Sequence, residues 1–197
     1  MAALTIDLQP LLAGTAALHK HLCPRQILGV RIGLLAGELL DVDFPQKDKR
    51  VIAFVETDGC FTDGVMVATG CSLGHRTMRL VDAGKVAATM ADTKTGRAVR
   101  IWPRENSRRL AAQYTPDAPN RWQAQLEAYQ LMPARELLCS SEVTLQLSLE
   151  ALVGKPGVRV NCDSCSEEIL NRRERVLDGK TLCRHCAGDT YWSRTHR

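Results

Sequence analysis

The order of apolar and polar positions predicts a helix followed by a sheet in the first half of the chain. Within residues 24–40 the large aliphatic side chains recur at three- and four-residue intervals, which is typical of a well-buried helix. After a polar stretch, Val51 to Thr57 is a short β-branched run, and we expect it to be a central strand. Phe61 to Thr69 is expected to form one or two helical turns, and Gly70 to Gly74 a turn.

Three further apolar runs are separated by turn residues. Arg76 to Asp82, Lys85 to Asp92 and Arg97 to Trp102 have the length and composition of strands. Ala83-Gly84 and Thr95-Gly96 stand between them. This punctuation predicts an antiparallel meander of three successive strands.

The stretch beyond Pro103 mixes short helices with one more strand. Helices are expected near Ser107 to Tyr114, over Arg121 to Leu131, and from Pro133 through Cys139, whose thiol would lie on an apolar helix face in the core. Apolar and polar residues alternate from Val143 to Glu150, which predicts a half-buried strand. The whole pattern predicts an α+β fold with helices and an antiparallel-rich core sheet.

A composition shift marks a domain boundary near the C-terminus. Gly154 to Gly157 (GKPG) is typical of a hinge, and the chain beyond it is polar and short of large aliphatic residues. We therefore expect an α+β core over residues 1–156 and a small module over residues 157–197. Because the module has too little apolar surface for a core of its own, it needs a covalent or metal staple.

Composition and charge exclude several classes of protein. Of 197 residues, 45% are hydrophobic and 24% charged, which excludes a disordered, collagen-like or coiled-coil chain. A formal net charge of +4 is too small for a dedicated nucleic-acid binder, so contact with nucleic acid is disfavoured. Residues 1–17 lack the basic start and unbroken apolar run of a secretory signal, and no apolar run is long enough for a membrane span. A cytoplasmic protein is expected.

Four of the eight cysteines have the spacing of a zinc finger. Cys162 and Cys165 form one C-x2-C pair, and Cys183 and Cys186 form a second pair after a seventeen-residue loop. Four thiolates on two tight turns suit the tetrahedral geometry of zinc, and a closed sulfur shell predicts a structural ion. A redox dithiol and an iron site are the alternatives. His185, inside the second pair, is expected to be a surface residue and not a ligand.

A second group of metal-binding or nucleophilic side chains lies in the N-terminal half. If the chain is extended there, His19, His21 and Cys23 point to the same side. Cys60 follows the predicted strand, at the kind of strand end where α/β-type sites lie, with Asp58 and Asp63 nearby. These carboxylates are candidates for orienting a histidine, for general bases, or for caps of a helix and a strand end.

Two regions of the sequence resemble known families. Residues 15–105 resemble the FmdE family, whose name comes from formylmethanofuran dehydrogenase, through HKHLCPRQILGVRIG, VIAFVETDGCFTDGVMVATGCSLGHRTMRLVDAGKVAATM and GRAVRIW. The cysteine module is similar to the TraR/DksA type of zinc finger through CDSCSEEI and LCRHCAGDTYW. The first resemblance implies an α+β core, a metal-binding cleft, and an intertwined homodimer in which the finger reaches the partner chain. Arg25 and His75 depart from the family pattern and would add positive or proton-exchanging groups near the cleft.

These observations lead to a set of expected site residues. The structural zinc is expected on Cys162, Cys165, Cys183 and Cys186. A second divalent metal, zinc first among the candidates, is expected on His19, His21, Cys23 and Cys60, with Cys60 and His21 as the catalytic residues if the protein is an enzyme. Cys71 is expected to be buried, and Lys85 is a candidate for binding an anion over the cleft.

Three functions remain open at this point. The first is a dimeric, metal-binding accessory or sensor factor linked to molybdenum or tungsten enzyme metabolism. The second is a metal- or cysteine-dependent enzyme that acts on a small one-carbon or pterin-like substrate. The third is a transcription-associated regulator whose finger contacts a protein or a nucleic acid.

Overall fold

The structure of this chain is a computed structural model that describes residues 7–154, 157–193 and 195. Within that part of the chain there are seven helices and nine strands. The helices are α1 (Leu8–His19), α2 (Pro24–Leu40), α3 (Cys60–Thr69), α4 (Ser107–Tyr114), α5 (Arg121–Leu131), α6 (Ala134–Leu137) and α7 (Leu149–Val153). The strands are β1 (Val51–Val55), β2 (Met78–Leu80), β3 (Ala88–Asp92), β4 (Ala98–Pro103), β5 (Leu138–Glu142), β6 (Arg159–Asn161), β7 (Glu168–Leu170), β8 (Arg175–Leu177) and β9 (Lys180–Leu182).

The chain divides into two compact units, one that ends at Leu149 and one that begins at Glu150. Of the predicted hinge, Lys155 and Pro156 lie outside the described residues, as do residues 1–6 of the segment considered for a signal sequence. No helix of the described residues combines the length and the apolar character needed to cross a membrane.

A five-stranded sheet in the order β2-β1-β3-β4-β5 forms the centre of the N-terminal unit. All residues of β1 and β3 are buried, so the continuous apolar run VIAFV fits a strand that is covered on both faces. β1 pairs antiparallel with β3, and Ala53 lies opposite Met90. The predicted α+β class with a mostly antiparallel sheet is confirmed.

The predicted meander is wrong at its first strand. β2 pairs in parallel with β1, with Met78 opposite Ala53, and it does not lie beside β3 within the sheet. The residues after β2 cross the end of β1, where the amides of Ala83 and Lys85 both donate to the carbonyl oxygen of Glu56. Turn residues at 83–84 separate the two strands, but their composition does not say which strand edge each one joins.

The last strand of the sheet is also shifted from its predicted place. β5 covers Leu138–Glu142 and pairs with β4, with Cys139 opposite Trp102. Cys139 is therefore a half-buried strand residue and not a helix residue. The residues from Val143 to Ser148, predicted as a strand, lie outside the strands, because β4 bonds to β5 up to Glu142 and leaves the alternating run unpaired.

Two glycines let α2 and α3 cross with their backbones in contact. A Cβ atom at Gly29 would lie 2.9 Å from the Cα of Gly64 and would overlap the carbonyl oxygen of Phe61. A Cβ at Gly64 would overlap the carbonyl oxygen of Gln26. This close crossing brings the start of α2 next to the start of α3, where two of the predicted site cysteines lie.

A buried glutamine joins α1 to the beginning of α2. The side-chain oxygen of Gln26 accepts a hydrogen bond of 2.7 Å from the amide of Cys23, and its amide nitrogen donates to the carbonyl oxygen of Thr15 at 2.9 Å. Pro24 occupies the first turn of α2, where its missing N–H costs nothing. The end of α1 is thus held close to the two helix starts.

The C-terminal unit is small and has little apolar core. It contains two antiparallel hairpins, β6–β7 and β8–β9, and among its described hydrophobic residues only Cys162 and Ile169 are buried. So small a core agrees with the expected need for a staple.

Candidate functional site

The four finger cysteines come together at the ends of the two hairpins. Cys162 follows β6 and Cys183 follows β9, and all four sulfur atoms lie within 4.8 Å of one another. Around a tetrahedral zinc with bonds of about 2.3 Å, sulfur atoms are roughly 3.8 Å apart. The sulfurs of Cys165 and Cys183 are 3.9 Å apart, so the cluster fits a closed four-cysteine zinc site.

Backbone amides turn toward these sulfurs. The amide of Cys183 donates to the sulfur of Cys162 at 3.3 Å, and the amide of Cys186 donates to the sulfur of Cys183 at 3.4 Å. The amides of Cys183 and Cys165 lower the pKa of Cys162 to about 6. At Cys165 the amide of Glu167 lowers the pKa, but burial and the three neighbouring thiols outweigh it and raise the pKa to about 12. The cluster therefore accepts its first negative charge easily, and a cation is needed for the others.

His185 lies beside this cluster and is engaged elsewhere. Its ring stacks on the indole of Trp192, with centroids 3.9 Å apart, and its Nδ1 contacts the hydroxyl of Thr190. It is absent from the group of convergent ligand atoms found in the described residues. The expectation that His185 is not a ligand is confirmed.

In the N-terminal unit, one imidazole lies between a carboxylate and a thiol. His19 is the last residue of α1, and its Nε2 contacts the carboxylate of Asp63 on α3. Its Nδ1 faces the sulfur of Cys60, the first residue of α3, at 4.0 Å. Of the alternatives left open for Asp63, the structure shows contact with a histidine. Asp58 is exposed.

The chain between His19 and Cys23 is a turn and not an extended strand, so the geometry expected for these residues is wrong. Lys20 adopts a left-handed conformation with φ of 61°, which ends α1, and Cys23 precedes α2. The exposed His21 directs its Nδ1 to the carbonyl oxygen of His19 at 2.9 Å. The two imidazole rings meet edge to face, with centroids 5.8 Å apart.

Cys23 and Cys60 are neighbours at the crossing of α2 and α3. Cys23 is buried, and Cys60 is half-buried. Burial raises the pKa of the Cys60 thiol, and the Cys23 thiol and the carboxylate of Asp63 raise it further. Without a cation, Cys60 is therefore a protonated thiol at neutral pH.

The predicted second metal set is brought close but is not gathered like the finger. Among the described residues, three or more potential ligand atoms lie within 4.8 Å of one another only at the four finger cysteines. His19, Cys60 and Asp63 form a chain of contacts, and Cys23 joins through Cys60. Cys71 is fully buried and receives a hydrogen bond from Gln46, so it is a core residue, as expected.

A cleft of about 770 Å³ opens beside the two thiols. Cys23 and Cys60 form part of its wall, and Trp102, Trp122 and Tyr129 add aromatic surface. Its charged lining is strongly asymmetric. The basic residues are Arg25, Lys85, Arg100, Arg104 and Arg108, and the single acidic one among the described residues is Glu105.

Sequence reasoning found only part of this cleft. Arg25 and Lys85 were expected near it, whereas Trp102, Arg108 and Trp122 were not. These three come from β4, α4 and α5, which are distant in sequence from the cysteines. The signal that was available is the cluster of Arg and Trp residues around positions 100–109 and 121–122.

Comparison with known proteins assigns both units. The profile of a family described as FmdE, molybdenum formylmethanofuran dehydrogenase operon, matches residues 18–139, more than half of the chain. This chain belongs to the FmdE family. The profile of the prokaryotic dksA/traR C4-type zinc finger matches residues 156–191 of this FmdE-family protein. Both predicted resemblances are confirmed.

Two individual proteins show similarity over most of the chain. A crystal structure of an FmdE-like protein of tungsten formylmethanofuran dehydrogenase from Syntrophus aciditrophicus matches with a TM-score of 0.62, at 20% identity and 98% coverage of both chains. This likeness concerns the fold. A curated protein of Archaeoglobus fulgidus, described as a probable S-adenosyl-L-methionine-binding protein, is 32% identical over 192 residues, which cover 88% of this chain. The FmdE-family chain spans about half of that relative's length, 51%.

Proposed function

We propose that this FmdE-family protein holds a divalent metal, zinc, at His19 and Cys60 in addition to the finger zinc. In this proposal it works as a dimeric accessory or sensor protein linked to molybdenum or tungsten enzymes. The observation that carries the metal proposal is the position of the His19 imidazole between Asp63 and Cys60. The family's printed description, which names a molybdenum formylmethanofuran dehydrogenase operon, supports the metabolic link.

The donor atoms at this position suit zinc. A tetrahedral zinc with one nitrogen and one sulfur ligand would place them about 3.6 Å apart, and His19 Nδ1 and Cys60 Sγ are 4.0 Å apart. Asp63 contacts the other ring nitrogen, which is how a carboxylate orients a metal-bound histidine and increases its basicity. Cys23 and His21 are the nearest further donors to complete the shell.

Each side chain has a distinct role in this arrangement. Asp63 holds the proton on Nε2 of His19 and so keeps Nδ1 free as a donor. Cys60 contributes a sulfur that a bound cation would deprotonate. A zinc held by three or fewer protein ligands supplies an open position where a small molecule or water can bind. Such a position suits either a sensor or an enzyme.

The enzyme alternative has one observation of its own in favour. Cys23 and Cys60 line the cleft of about 770 Å³, so a bound molecule would meet the candidate nucleophile Cys60 directly. In this version Cys60 and His21 act on a small one-carbon or pterin-like substrate. The regulator alternative is supported by the dksA/traR match and by Tyr191, which is 97% exposed on the finger and available to a protein partner.

Metal analysis of the purified full-length protein tests the main proposal. We expect about two zinc ions per chain by plasma emission spectrometry, because each site binds one. His19→Ala together with Cys60→Ala removes the N-terminal ion, whereas Cys162→Ser removes the finger ion. Cys139→Ser, a half-buried thiol on β5, is the matched control and keeps both ions. A zinc content near one that disappears with Cys162→Ser alone would disprove the N-terminal site.

Light scattering tests the homodimer separately. A mass that corresponds to two chains and does not depend on concentration supports it, because an interface that buries the small finger should be tight. A monomer at all concentrations contradicts it.

A further inference from the structure

We infer that the cleft beside Cys23 and Cys60 binds an anion that carries a flat heteroaromatic ring, of which a nucleoside monophosphate is the simplest kind. This inference goes beyond the metal proposal and does not depend on it, because the charged and aromatic residues that carry it are not among the proposed metal donors. It rests on three properties of the cleft: its charge, its aromatic wall and its size.

The charge of the cleft is left largely uncompensated by the protein. Arg100 forms a two-point ion pair with Glu56, with N···O distances of 2.6 and 2.7 Å, so its charge is already matched. The other four basic residues form no ion pair with any part of the chain that the structure describes. They are Arg25, Lys85, Arg104 and Arg108, all exposed. Four such cations against the carboxylate of Glu105 attract an anion.

Aromatic surface stands beside these cations. Trp122 is 50% exposed on the cleft wall, an unusual position for the largest apolar side chain unless a ligand covers it. Trp102 is fixed in place because the guanidinium of Arg100 lies over its ring, 5.0 Å from the centroid. An indole next to guanidinium groups binds a flat ring by stacking while the guanidinium groups bind its acidic substituent.

The size of the cleft excludes a simple inorganic anion as its full occupant. Sites for small molecules and cofactors have volumes of roughly 300–1,000 Å³, and this cleft has about 770 Å³. Phosphate or sulfate alone would leave the tryptophans uncovered. A ring joined to an anionic group would contact both parts of the wall.

The same charge argues against S-adenosyl-L-methionine, the ligand named in the description of the Archaeoglobus relative. That molecule contains an adenosine group, but its sulfonium centre is a permanent cation. Four uncompensated basic side chains would repel the sulfonium. About half of the relative lies outside the region shared with this chain, so its ligand need not occupy this cleft.

A series of probes that share one ring separates charge from stacking. We would titrate the full-length protein with AMP, adenosine, S-adenosyl-L-methionine and inorganic phosphate by calorimetry, and repeat the AMP arm with GMP. We expect saturable binding of AMP or GMP, and at least about tenfold weaker binding of the other three probes. If neither nucleotide saturates the protein below millimolar concentration, or if S-adenosyl-L-methionine binds more tightly than AMP, the inference is wrong.

Paired variants locate the binding. Arg108→Gln, on the cleft wall, should weaken nucleotide binding at least about threefold, whereas Arg109→Gln, exposed on the same helix and absent from the wall, should not change it. Trp122→Ala should weaken binding, and Trp192→Phe on the finger should not. Equal effects of Arg108→Gln and Arg109→Gln would show non-specific attraction and overturn the assignment.

A last comparison keeps this test apart from the metal proposal. His19→Ala removes a proposed metal donor but no residue of the cleft wall. Nucleotide binding by this variant should equal that of the wild type, whatever its zinc content. Loss of binding in a variant that still shows the wild-type thermal unfolding would place the ligand on the metal and not on the cleft cations.

Discussion

The Cα of Gly64 on α3 lies 2.9 Å from where a Cβ of Gly29 on α2 would be. No side chain fits at this helix crossing, and the contact sets how Cys23 and Cys60 face each other at the two helix starts. A Cβ at either glycine would have to displace backbone atoms of the opposite helix, which cannot yield as a flexible side chain can.

Gly29→Ala is therefore expected to destabilise the N-terminal unit by about 1–3 kcal/mol, because the added methyl overpacks a rigid contact. Chemical denaturation followed by circular dichroism measures the change. Gly74→Ala is the matched control, since a Cβ there meets nothing within 4 Å. An unchanged stability for Gly29→Ala would show that the two helices are not held at this distance in solution.

Asp63→Asn is expected to weaken zinc at the proposed N-terminal site roughly 10- to 100-fold, because the amide orients the His19 ring poorly and does not increase its basicity. Competition with a chromophoric chelator, in protein whose finger zinc is left in place, gives the affinity. Asp58→Asn changes an exposed carboxylate and is the control. Equal affinity in the two variants would contradict a role for Asp63 in holding the metal.

Glu56 provides a test by pH. The hydrogen bonds from Arg100 hold its pKa below the ordinary range against the opposing effect of burial, and the charge of Lys85 adds to the lowering. Since the pKa is lower in the folded state, the pair stabilises the protein above the ordinary glutamate pKa of about 4.3 and loses that contribution as the pH falls below it.

Glu56→Gln should consequently lower the free energy of unfolding at pH 7 by roughly 1.5–3 kcal/mol, and the gap from wild type should narrow toward pH 3. Thermal or urea unfolding across this range measures it. Glu38→Gln, an exposed glutamate on α2, serves as control. A gap that stays constant with pH would mean that the ion pair is not what stabilises the fold there.

Removal of the finger zinc should unfold the C-terminal unit alone. In Cys165→Ser one thiolate is lost, and the unit has almost no apolar core to replace the metal. Limited proteolysis should then cut beyond Leu149 and leave a resistant N-terminal fragment. Glu167→Gln, an exposed neighbour, should resist cleavage as the wild type does. A Cys165→Ser protein as resistant as the wild type would show that zinc is not the staple.

The sequence by itself was sufficient wherever the decisive information is local. The finger follows from two C-x2-C pairs, because a tight turn brings its own two sulfurs together and the demand of zinc for four ligands joins the pairs. α2 and β1 follow from the periodicity of their apolar residues and from the proline at the first turn of α2.

Features that join distant parts of the chain were decided by the tertiary structure. Strand composition does not contain the choice of partner, so β2 was misplaced, and the pairing of β4 with Leu138–Glu142 overruled the alternating run that follows. The geometry expected for residues 19–23 failed for a related reason, since Lys20 turns the chain and His19 reaches Cys60 and Asp63 across a helix interface. The cleft combines β4, α4 and α5 with the helix starts, and only packing that buries the apolar faces of these elements brings its cations and tryptophans together.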